Sequence, residues 1–514
     1  MRRLVLGAAA LLVALNAVVQ GERLRSVLAS YRLFITEGGE GPHIYAIWRL
    51  LHGFPLYQWP QREPYALTLY NALFYHSYAG VLGAFGVDGP AILLAARLIT
   101  LAAALAGAVA SAALVLRLLP PDVRSREVRA TVVLFAAVLW LGTNFASWWP
   151  LSIRPDVAAM VFATLGLTLV IRALSHSRSG AALMAASVLF FVAWGFKQTV
   201  VLTFAGTLVY LMFSPRWKRD LPALALPFVG LAALAVGAGG ATYRFNILTA
   251  GTAGHILPSQ ALAIFARVFA QNALVWVLPL VLGALAVWSR MCGSGTAAPV
   301  VEADRLLATV FAVTLFGGLV ALGRESANEN QLYEAYLSGG LIAARGIAVL
   351  VARAAPAPRR VGVAAAVLLS LPMLAFPAAQ IAFPDRFGVT HLASPADLER
   401  KRALAERLPE YPKPLFIVDD VLAQPWNANA GRYPAFVLDV YWTALAERDG
   451  LLPHGMVEGL IRGGRFRTVV DAPGGRYAIA AAASGLRCDG VPDLAPDAAP
   501  LVACTSPATR EQTP

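Results

Sequence analysis

The sequence predicts a polytopic α-helical membrane protein of about 11 transmembrane helices, followed by a small α/β domain outside the membrane. The first observation is composition: of the 514 residues, 58% are hydrophobic and only 14% are charged, and the mean hydropathy is +0.62. A soluble globular protein is about a quarter charged. The second observation is a series of apolar runs of membrane-spanning length. The third is a change to a soluble composition after about Ala382.

The apolar runs define the organisation of the chain. A helix needs about 20 apolar residues to cross a hydrocarbon core of about 30 Å. Eleven segments fit this requirement: residues 4–20, 90–118, 130–148, 155–173, 180–195, 198–213, 221–240, 273–289, 306–322, 335–352 and 361–381. They predict a transmembrane module at residues 1–384, with a long first outer loop at 21–88, and a soluble domain at 385–514.

The first apolar segment has two interpretations. Met1, Arg2 and Arg3 precede a short apolar core, as in a signal peptide, but the following VVQGERLR contains no convincing small-x-small cleavage site. We therefore expect an uncleaved helix with its N-terminus in the cytoplasm and the C-terminal domain on the other side. The loops that this topology places inside are basic, as the positive-inside rule requires; they are residues 117–129, 172–178, 214–220 and 352–360.

The net charge of +12 does not indicate nucleic-acid binding. The Lys and Arg residues are dispersed between the apolar runs, which is the pattern of topology signals and of contact with anionic lipid headgroups. No glycine-rich phosphate-binding loop and no Cys or His pair with zinc spacing is present in the sequence. The lipid bilayer is therefore the expected surrounding, and a nucleotide is not an expected ligand.

The C-terminal region has the pattern of a small mixed α/β domain. KPLFIVDDVLA and RFRTVVDAP predict short buried strands, and DVYWTALAERDG and HGMVEGLIRGG predict short helices that end at glycine. Cys488 and Cys504 lie 16 residues apart in this region, and we expect a disulfide between them if the domain is outside the cytoplasm; two free thiols are the alternative. The last thirty or so residues, rich in Pro, Ala and Asp, are predicted to be loosely ordered.

Ionisable residues that border an apolar run are the candidates for function, because a charge at membrane depth is costly. They lie in four segments: the first outer loop, WWPLSIRPDVAAM, WGFKQTVV and GRESANENQLYEAYLSGG. We expect these segments to present their polar side chains at one membrane depth. The candidates are Glu37, Glu40, His43, Arg154, Asp156, Lys197, Arg324, Asn330 and Glu334.

This mixture of cations and acids suits one kind of chemistry. Arg and Lys at the lipid boundary can pair with a phosphate whose lipid tail lies between helices, and a neighbouring carboxylate can remove a proton from an acceptor hydroxyl. Structural alternatives stay open: Arg154 and Asp156 as a pair that begins a helix, Lys197 as a side chain that reaches the interface, and Asn330 with Glu334 as a polar clamp on one helix face. Nearby aromatic residues are either sugar-stacking groups or an interfacial belt.

The order of several short motifs resembles the GT-C superfamily of membrane glycosyltransferases. They are a GEG acid loop followed by LLHGFPLY, then EPYALTLYNALFY, RPD at the start of a span, KQT and NENQLYE. The nearest branch is that of bacterial lipopolysaccharide-core sugar transferases and protein O-mannosyltransferase-like enzymes. The LYNALFY stretch around Tyr70 stands where the family has a proline-containing motif, without its paired prolines.

The resemblance implies transfer of a sugar from a polyprenyl-phosphate carrier to an envelope glycan, lipid or protein acceptor, on the outer face of the bacterial inner membrane. In the family an acid of the first outer loop is the catalytic base, and here that position matches Glu40, with Glu37 in reserve. A divalent cation, Mg²⁺ or Mn²⁺, is an open question, because this loop has only glutamates. The alternatives are a transporter or flippase of lipid-linked glycans and an O-antigen-ligase-like enzyme.

Overall fold

A computed structural model of the protein describes most of the transmembrane module and the centre of the C-terminal domain. The described residues are 2–30, 40–62, 65–142, 144–175, 179–291, 299–325, 327–352, 357–383, 402–403, 405–418, 435–436, 440–490 and 501–506. Glu37 and Cys292 lie outside them.

Fifteen helices form the described part of the transmembrane module. They are α1 Arg2–Ser30, α2 Glu40–Leu51, α3 Ala72–Ala84, α4 Ala91–Leu118, α5 Arg126–Leu141, α6 Pro155–Ser175, α7 Ser179–Phe196, α8 Leu202–Met212, α9 Trp217–Ala238, α10 Gly240–Arg244, α11 Pro258–Gln271, α12 Ala273–Met291, α13 Pro299–Leu322, α14 Tyr333–Ala352 and α15 Ala357–Ala382. Each of the eleven predicted segments overlaps one of these helices. The prediction of a polytopic helical protein is therefore confirmed.

The predicted number of eleven spans is not confirmed. Among the described residues, six helices are long and apolar enough to cross a membrane, namely α1, α4, α6, α9, α13 and α14, and the bent pair α11–α12 would make a seventh. Helix α5 has 16 residues and α8 has 11. At 1.5 Å per residue these two are too short to cross about 30 Å unaided.

Residues 241–272, between two of the predicted spans, are largely helical. Helix α11 begins there with Pro258 in its first turn and ends at Gln271, and α12 follows after Asn272 at an angle of 91°. The side chain of Asn272 is buried and donates to the carbonyl of Val268 at 3.1 Å. Because the amide side chain bonds to the last turn of α11, the chain breaks at this residue.

Helix α2 begins at Glu40, within the GEG motif, and the chain leaves it through Gly53. Gly53 has φ +75°, a left-handed conformation in which a residue with a Cβ is strained. The N–H of Phe54 then donates to the carbonyl of Arg49 at 2.8 Å and closes the end of the helix. This turn sends the following residues back over α2.

A five-stranded sheet forms the described centre of the C-terminal domain. The strands are β1 Leu415–Ile417, β2 Ala435–Phe436, β3 Thr468–Asp471, β4 Arg487–Gly490 and β5 Val502–Thr505, in the order β2-β1-β3-β5-β4. Strands β2, β1 and β3 are parallel, whereas β3, β5 and β4 are antiparallel. The mixed α/β architecture is thus as predicted, with helices Val440–Arg448, Met456–Arg462 and Arg476–Ala483 beside the sheet.

The C-terminal tail differs from its prediction. Strands β4 and β5 lie within the region expected to be loosely ordered, and Cys488 faces Cys504 across the pair. A disulfide joins these two residues, as the sequence predicted. Proline and alanine content alone pointed to disorder, but the cross-link and the pairing with β3 supply the order.

The segment 65–71 lies between the C-terminal domain and the transmembrane helices. Tyr65 and Leu67 are buried in the same apolar cluster as Phe416 and Phe466 of the domain. Farther along the segment, the side chain of Gln198 donates to the carbonyl of Leu69 at 2.6 Å. One short stretch of chain therefore contacts both parts of the protein.

Candidate functional site

Glu40 is the first residue of α2 and is completely buried. Its Oε2 lies 2.9 Å from Nη2 of Arg97 in α4, and both side chains are at most 1% exposed. Its Oε1 accepts the backbone N–H of Ile153 at 2.6 Å. The carboxylate therefore joins three elements: α2, α4 and the segment that leads into α6.

Arg154, Asp156 and Lys197 form the second part of the site. Pro155 and Asp156 open α6, and Lys197 lies in the break between α7 and α8, where the sequence predicted it. Lys197 Nζ donates to Oδ1 of Asp156, and both side chains are 2% exposed. The other oxygen, Oδ2, is buried and has no hydrogen-bond partner among the described residues. The polar break is therefore held by an ion pair rather than by contact with the membrane surface.

His43 connects the two parts. Burial and the positive charge of Arg154 lower the pKa of His43 to about 3, while Glu40 and Asp156 act in the opposite direction. Lys197 also acts on this ring, so four charged side chains from α2, α6 and the α7–α8 break lie near one imidazole. At neutral pH the ring is uncharged, and its Nδ1 lies 3.2 Å from the hydroxyl oxygen of Tyr75.

Tyr70 lies over this cluster from the 65–71 segment. Its ring centroid is 4.9 Å from that of His43 and 5.9 Å from Nζ of Lys197. Its backbone carbonyl accepts the hydroxyl of Tyr57 at 2.7 Å, which fixes the segment from the other side. Tyr70 is half-buried, and its aromatic ring lies next to the cation of Lys197.

Two buried asparagines hold the 65–71 segment in place. Asn71 donates to the carbonyl of Trp194 at 2.6 Å and accepts the hydroxyl of Tyr243 at 2.6 Å. Asn246 accepts the N–H of Thr68 at 2.9 Å and donates to the carbonyl of Gln58 at 3.0 Å. These amides satisfy backbone groups that a buried loop would otherwise leave unpaired.

Three predicted site residues lie outside the cluster. The carboxylate of Glu334 accepts the N–H groups of Leu202 and Thr203, at 3.1 and 2.6 Å, and so caps the start of α8. Arg324 donates to the carbonyl of Ala253 at 3.0 Å, beside the C-terminal domain. Asn330 lies in a 3₁₀ turn, Glu329–Leu332, that precedes α14. Asn330 and Glu334 therefore lie on either side of the change from 3₁₀ to α-helical geometry at Tyr333.

Sequence reasoning missed Arg97, the ion-pair partner of Glu40. The signal was present: a single arginine stands inside the apolar run AILLAARLITL of α4, and an ionisable residue within a span is by itself a candidate. Arg97 was not among the candidates because these were residues that border an apolar run, and Arg97 lies inside one. Asn71 was also visible, within the LYNALFY motif, but its role depends on partners more than a hundred residues away.

Metal ligation finds no support among the described residues. No group of three or more His, Cys, Asp or Glu side chains within these residues is arranged to hold a metal ion. Glu40 and Asp156 are instead paired with cations. The question of Mg²⁺ or Mn²⁺ thus extends to Glu37, which lies outside the described residues.

The fold and the buried cluster together define a polytopic membrane protein with charged side chains gathered at helix ends beneath an aromatic cover. This fold is similar to that of ArnT from Cupriavidus metallidurans. The crystal structure of ArnT bound to undecaprenyl phosphate matches with a TM-score of 0.54 and 15% sequence identity, covering 97% of this chain and 98% of that chain. The apo structure matches with a TM-score of 0.53 and 16% identity, over 95% and 97% of the two chains.

At this level of identity the likeness shows the fold alone. No protein-family model matches the chain, and no curated protein matches it either.

Proposed function

We propose that the protein is a glycosyltransferase that moves a sugar from a polyprenyl-phosphate carrier to an envelope glycan, lipid or protein. The observation that carries the proposal is the cluster of Arg154, Lys197, Asp156 and His43 on a fold for which a structure with undecaprenyl phosphate exists. Cations and a carboxylate that converge at a helix break can bind a phosphate and accept a proton.

The charges of the cluster support an anionic ligand. Glu40 and Asp156 contribute two negative charges, and Arg97, Arg154 and Lys197 contribute three positive charges, while His43 is neutral. The difference, three minus two, leaves one positive charge on these described side chains. A sugar attached to a polyprenyl phosphate is a phosphodiester with one negative charge, so the donor would neutralise the site.

The aromatic cover supports a sugar as the other half of that ligand. Tyr70 and His43 present adjacent rings to the cations, and Tyr57 lies behind Tyr70. Aromatic faces suit the apolar faces of a sugar ring, whereas a ligand with a bare phosphate would have no use for them. For the other aromatic residues of the first loop, an interfacial belt is still the alternative interpretation.

The proposal includes a location in the bacterial inner membrane, with the N-terminus cytoplasmic and the C-terminal domain periplasmic. The basic loops at 117–129 and 214–220 favour this orientation. The disulfide between Cys488 and Cys504 also favours it, because disulfides persist in oxidising compartments.

The test is donor turnover by the full chain in lipid nanodiscs. Undecaprenyl-phosphate hexoses and pentoses are supplied one at a time, with acceptor-containing envelope extract, and release of undecaprenyl phosphate is measured. We expect turnover of at least one donor, its loss in Lys197→Ala, and no change in Glu22→Gln, which alters an exposed acid of α1. If no donor is consumed although undecaprenyl phosphate binds, transfer is contradicted.

The bent α11–α12 pair is the one observation that favours a transporter or flippase, since such proteins use broken helices. The test of that alternative uses the protein in liposomes of the same lipid composition as the nanodiscs. Movement of a fluorescent polyprenyl-phosphate sugar across the liposome membrane, without cleavage of its sugar–phosphate bond, would support it. The ligase alternative calls for one long outer loop late in the chain that carries paired arginines and a histidine. In residues 241–272 the arginines Arg244 and Arg267 are not paired in the sequence, and Arg267 donates to Glu329 instead. No observation favours it.

A further inference from the structure

We propose that an apolar cavity in the transmembrane module binds an acyl chain of an anionic phospholipid from the leaflet in which α1 begins. The cavity has a volume of about 660 Å³, and its lining residues fall within 5–12 of α1, 131–135 of α5, 344–351 of α14 and 366–374 of α15, with Leu274 of α12 at one end. In the orientation proposed above, this leaflet is the cytoplasmic one. The inference concerns a second lipid site and goes beyond sugar transfer.

The cavity is separate from the charged cluster. Its described lining contains no residue of α2, α6, α7 or α8, the helices that carry or flank Glu40, Asp156 and Lys197. On α14 the lining begins at Ala344, ten residues after Glu334. At 1.5 Å per residue this is about 15 Å farther along the helix. The cavity therefore lies at a different membrane depth from the cations that are proposed to hold the donor phosphate.

The wall of the cavity offers nothing to a polar ligand. Thr131 and Ser370 are the two polar side chains among its described lining residues, and each hydroxyl donates to a carbonyl of its own helix. Thr131 donates to Glu127 at 2.8 Å, and Ser370 donates to Val367 at 2.7 Å. A buried water needs about two to four polar partners, and a sugar needs more. Hydrocarbon is the occupant that this surface suits.

The cavity is open to the lipid phase beside α15. Val367 lines it and is 39% exposed, and the neighbouring Leu368 is 64% exposed. On the α1 side, Ala8 and Ala9 line the cavity and are half-buried. Only 17% of the most apolar part of α1 is buried inside the protein, so this helix has few protein neighbours. A chain of an adjacent lipid can enter from the side and pack against α1.

A lipid chain in the cavity restores contacts that an empty cavity lacks. The walls of an apolar void lose dispersion contacts, because there are no partner atoms on one side. In a bilayer the nearest apolar material is the acyl chain of a lipid. Since lipid tails are as apolar as the side chains of the wall, the hydrophobic effect does not favour one lipid over another. Selectivity therefore has to come from the headgroup.

Arginines can supply that selectivity at the end of the cavity where α1 and α5 begin. Arg3 is exposed near the start of α1, and Arg126 and Arg129 are exposed in the first turn of α5. Arg129 lies three residues before the lining residue Val132, so the two share one face of the helix. Residues 117–129 contain four arginines and two acids, and four minus two leaves a net charge of +2. Guanidinium groups pair well with phosphate, and basic clusters between helices bind anionic headgroups.

The test counts the lipids that the purified full chain retains, by native mass spectrometry. Delipidated protein in detergent is mixed with equal amounts of dioleoylphosphatidylglycerol, which is anionic, and dioleoylphosphatidylethanolamine, which is zwitterionic. We expect the unmodified protein to retain phosphatidylglycerol in preference. The preference should fall about tenfold or more in Arg126→Gln with Arg129→Gln. It should persist in Lys218→Gln with Arg219→Gln, a matched change of two exposed cations on α9, which does not line the cavity.

A second pair of variants tests the cavity itself. Ala9→Phe places a ring in the cavity from α1, whereas Ala10→Phe places the same ring on an exposed face of the same helix. We expect Ala9→Phe, and not Ala10→Phe, to lose the retained phosphatidylglycerol. Phosphatidylglycerol should also raise the melting temperature of the unmodified protein, because a ligand that binds only the folded state stabilises it. This rise should be absent in Ala9→Phe.

Three outcomes would overturn the proposal. The first is equal retention of the two phospholipids by the unmodified protein. The second is unchanged retention in Ala9→Phe, which would place the lipid outside the cavity. The third is one-for-one displacement of phosphatidylglycerol by undecaprenyl phosphate, which would make the cavity the binding site of the donor's chain.

The arginine variants keep the test decisive if Ala9→Phe does not fold. They change exposed side chains only, and an unchanged preference for phosphatidylglycerol in Arg126→Gln with Arg129→Gln would contradict the proposal. These measurements use no sugar donor. A protein that retains phosphatidylglycerol but turns over no donor would therefore contradict the proposed transfer and support the lipid site.

Discussion

Glu325 and Arg448 join the transmembrane module to the C-terminal domain through two parallel hydrogen bonds. Arg448 Nη1 and Nη2 lie 2.9 and 2.8 Å from Oε1 and Oε2 of Glu325, although the residues are 123 positions apart. Asp449, the next residue, accepts the N–H of Gly254 at 2.6 Å. A bidentate guanidinium–carboxylate pair fixes direction as well as distance, so this contact sets how the domain is seated.

The contact predicts a pH-dependent attachment of the domain. Glu325 accepts hydrogen bonds from Arg448 and from the N–H of His255, and these bonds lower its pKa from 4.5 to about 2. Because the pKa is lower in the attached state, the stabilisation is complete above about pH 4.5 and is lost as the pH falls through about 2. We expect hydrogen exchange at residues 440–450 to rise across this window in the unmodified protein. In Glu325→Gln it should be high at neutral pH, and an unchanged profile would contradict the contact.

Lys197→Ala should weaken binding of undecaprenyl phosphate by about tenfold or more, because it removes a buried cation and leaves Asp156 unpaired. Microscale thermophoresis in nanodiscs measures the Kd. Lys218→Ala is the matched control, since Lys218 is an exposed lysine on α9. Equal affinities for the two variants would remove Lys197 from the phosphate site.

Glu334→Ala should destabilise the protein by about 1–2 kcal/mol, as the loss of a helix cap does. Without its carboxylate the N–H groups of Leu202 and Thr203 at the start of α8 lose their acceptor. Glu334→Gln keeps an oxygen there and should recover part of the difference in thermal unfolding. A glutamine variant as unstable as the alanine variant would argue that charge, rather than capping, is what α8 requires.

Gly206→Val should destabilise the bundle by about 1–3 kcal/mol through overpacking. A Cβ at Gly206 would lie 2.8 Å from the Cα of Val310, where α8 crosses α13, a close approach that small residues permit between membrane helices. Gly230→Val is the control, because a Cβ there meets nothing within 4 Å. Thermal unfolding in detergent compares them, and equal melting temperatures would contradict the close contact.

Local patterns predicted the helices well and their partners poorly. Each of the eleven apolar runs overlaps a helix of the structure, and six helices among the described residues are long and apolar enough to cross a membrane. The break at Lys197 and the start of α6 at Pro155 were also visible, since proline and polar residues mark helix ends locally. The 91° bend at Asn272 was not, because an asparagine between two apolar stretches has no fixed conformational meaning until its side chain finds Val268.

The candidate site shows the same division. Three of the four expected segments, those that carry His43, Asp156 and Lys197, converge near one imidazole. Glu334 is buried, as expected of a functional acid, but its carboxylate accepts a backbone N–H at the start of α8. Which cation a buried acid meets depends on helix packing, and a single sequence contains no record of that choice. The pairing of Glu40 with Arg97 therefore became visible only in three dimensions.

The 65–71 segment connects the C-terminal domain directly to the charged cluster. Tyr65 is inserted among the aromatic rings of the domain, and five residues later Tyr70 covers Lys197. Five residues of extended chain span only about 17 Å, so little slack separates the two attachments. If the domain moves by more than this distance allows, either Tyr70 separates from Lys197 or Tyr65 leaves its apolar cluster in the domain. A partner protein that moves the domain would therefore also move the aromatic ring next to Lys197.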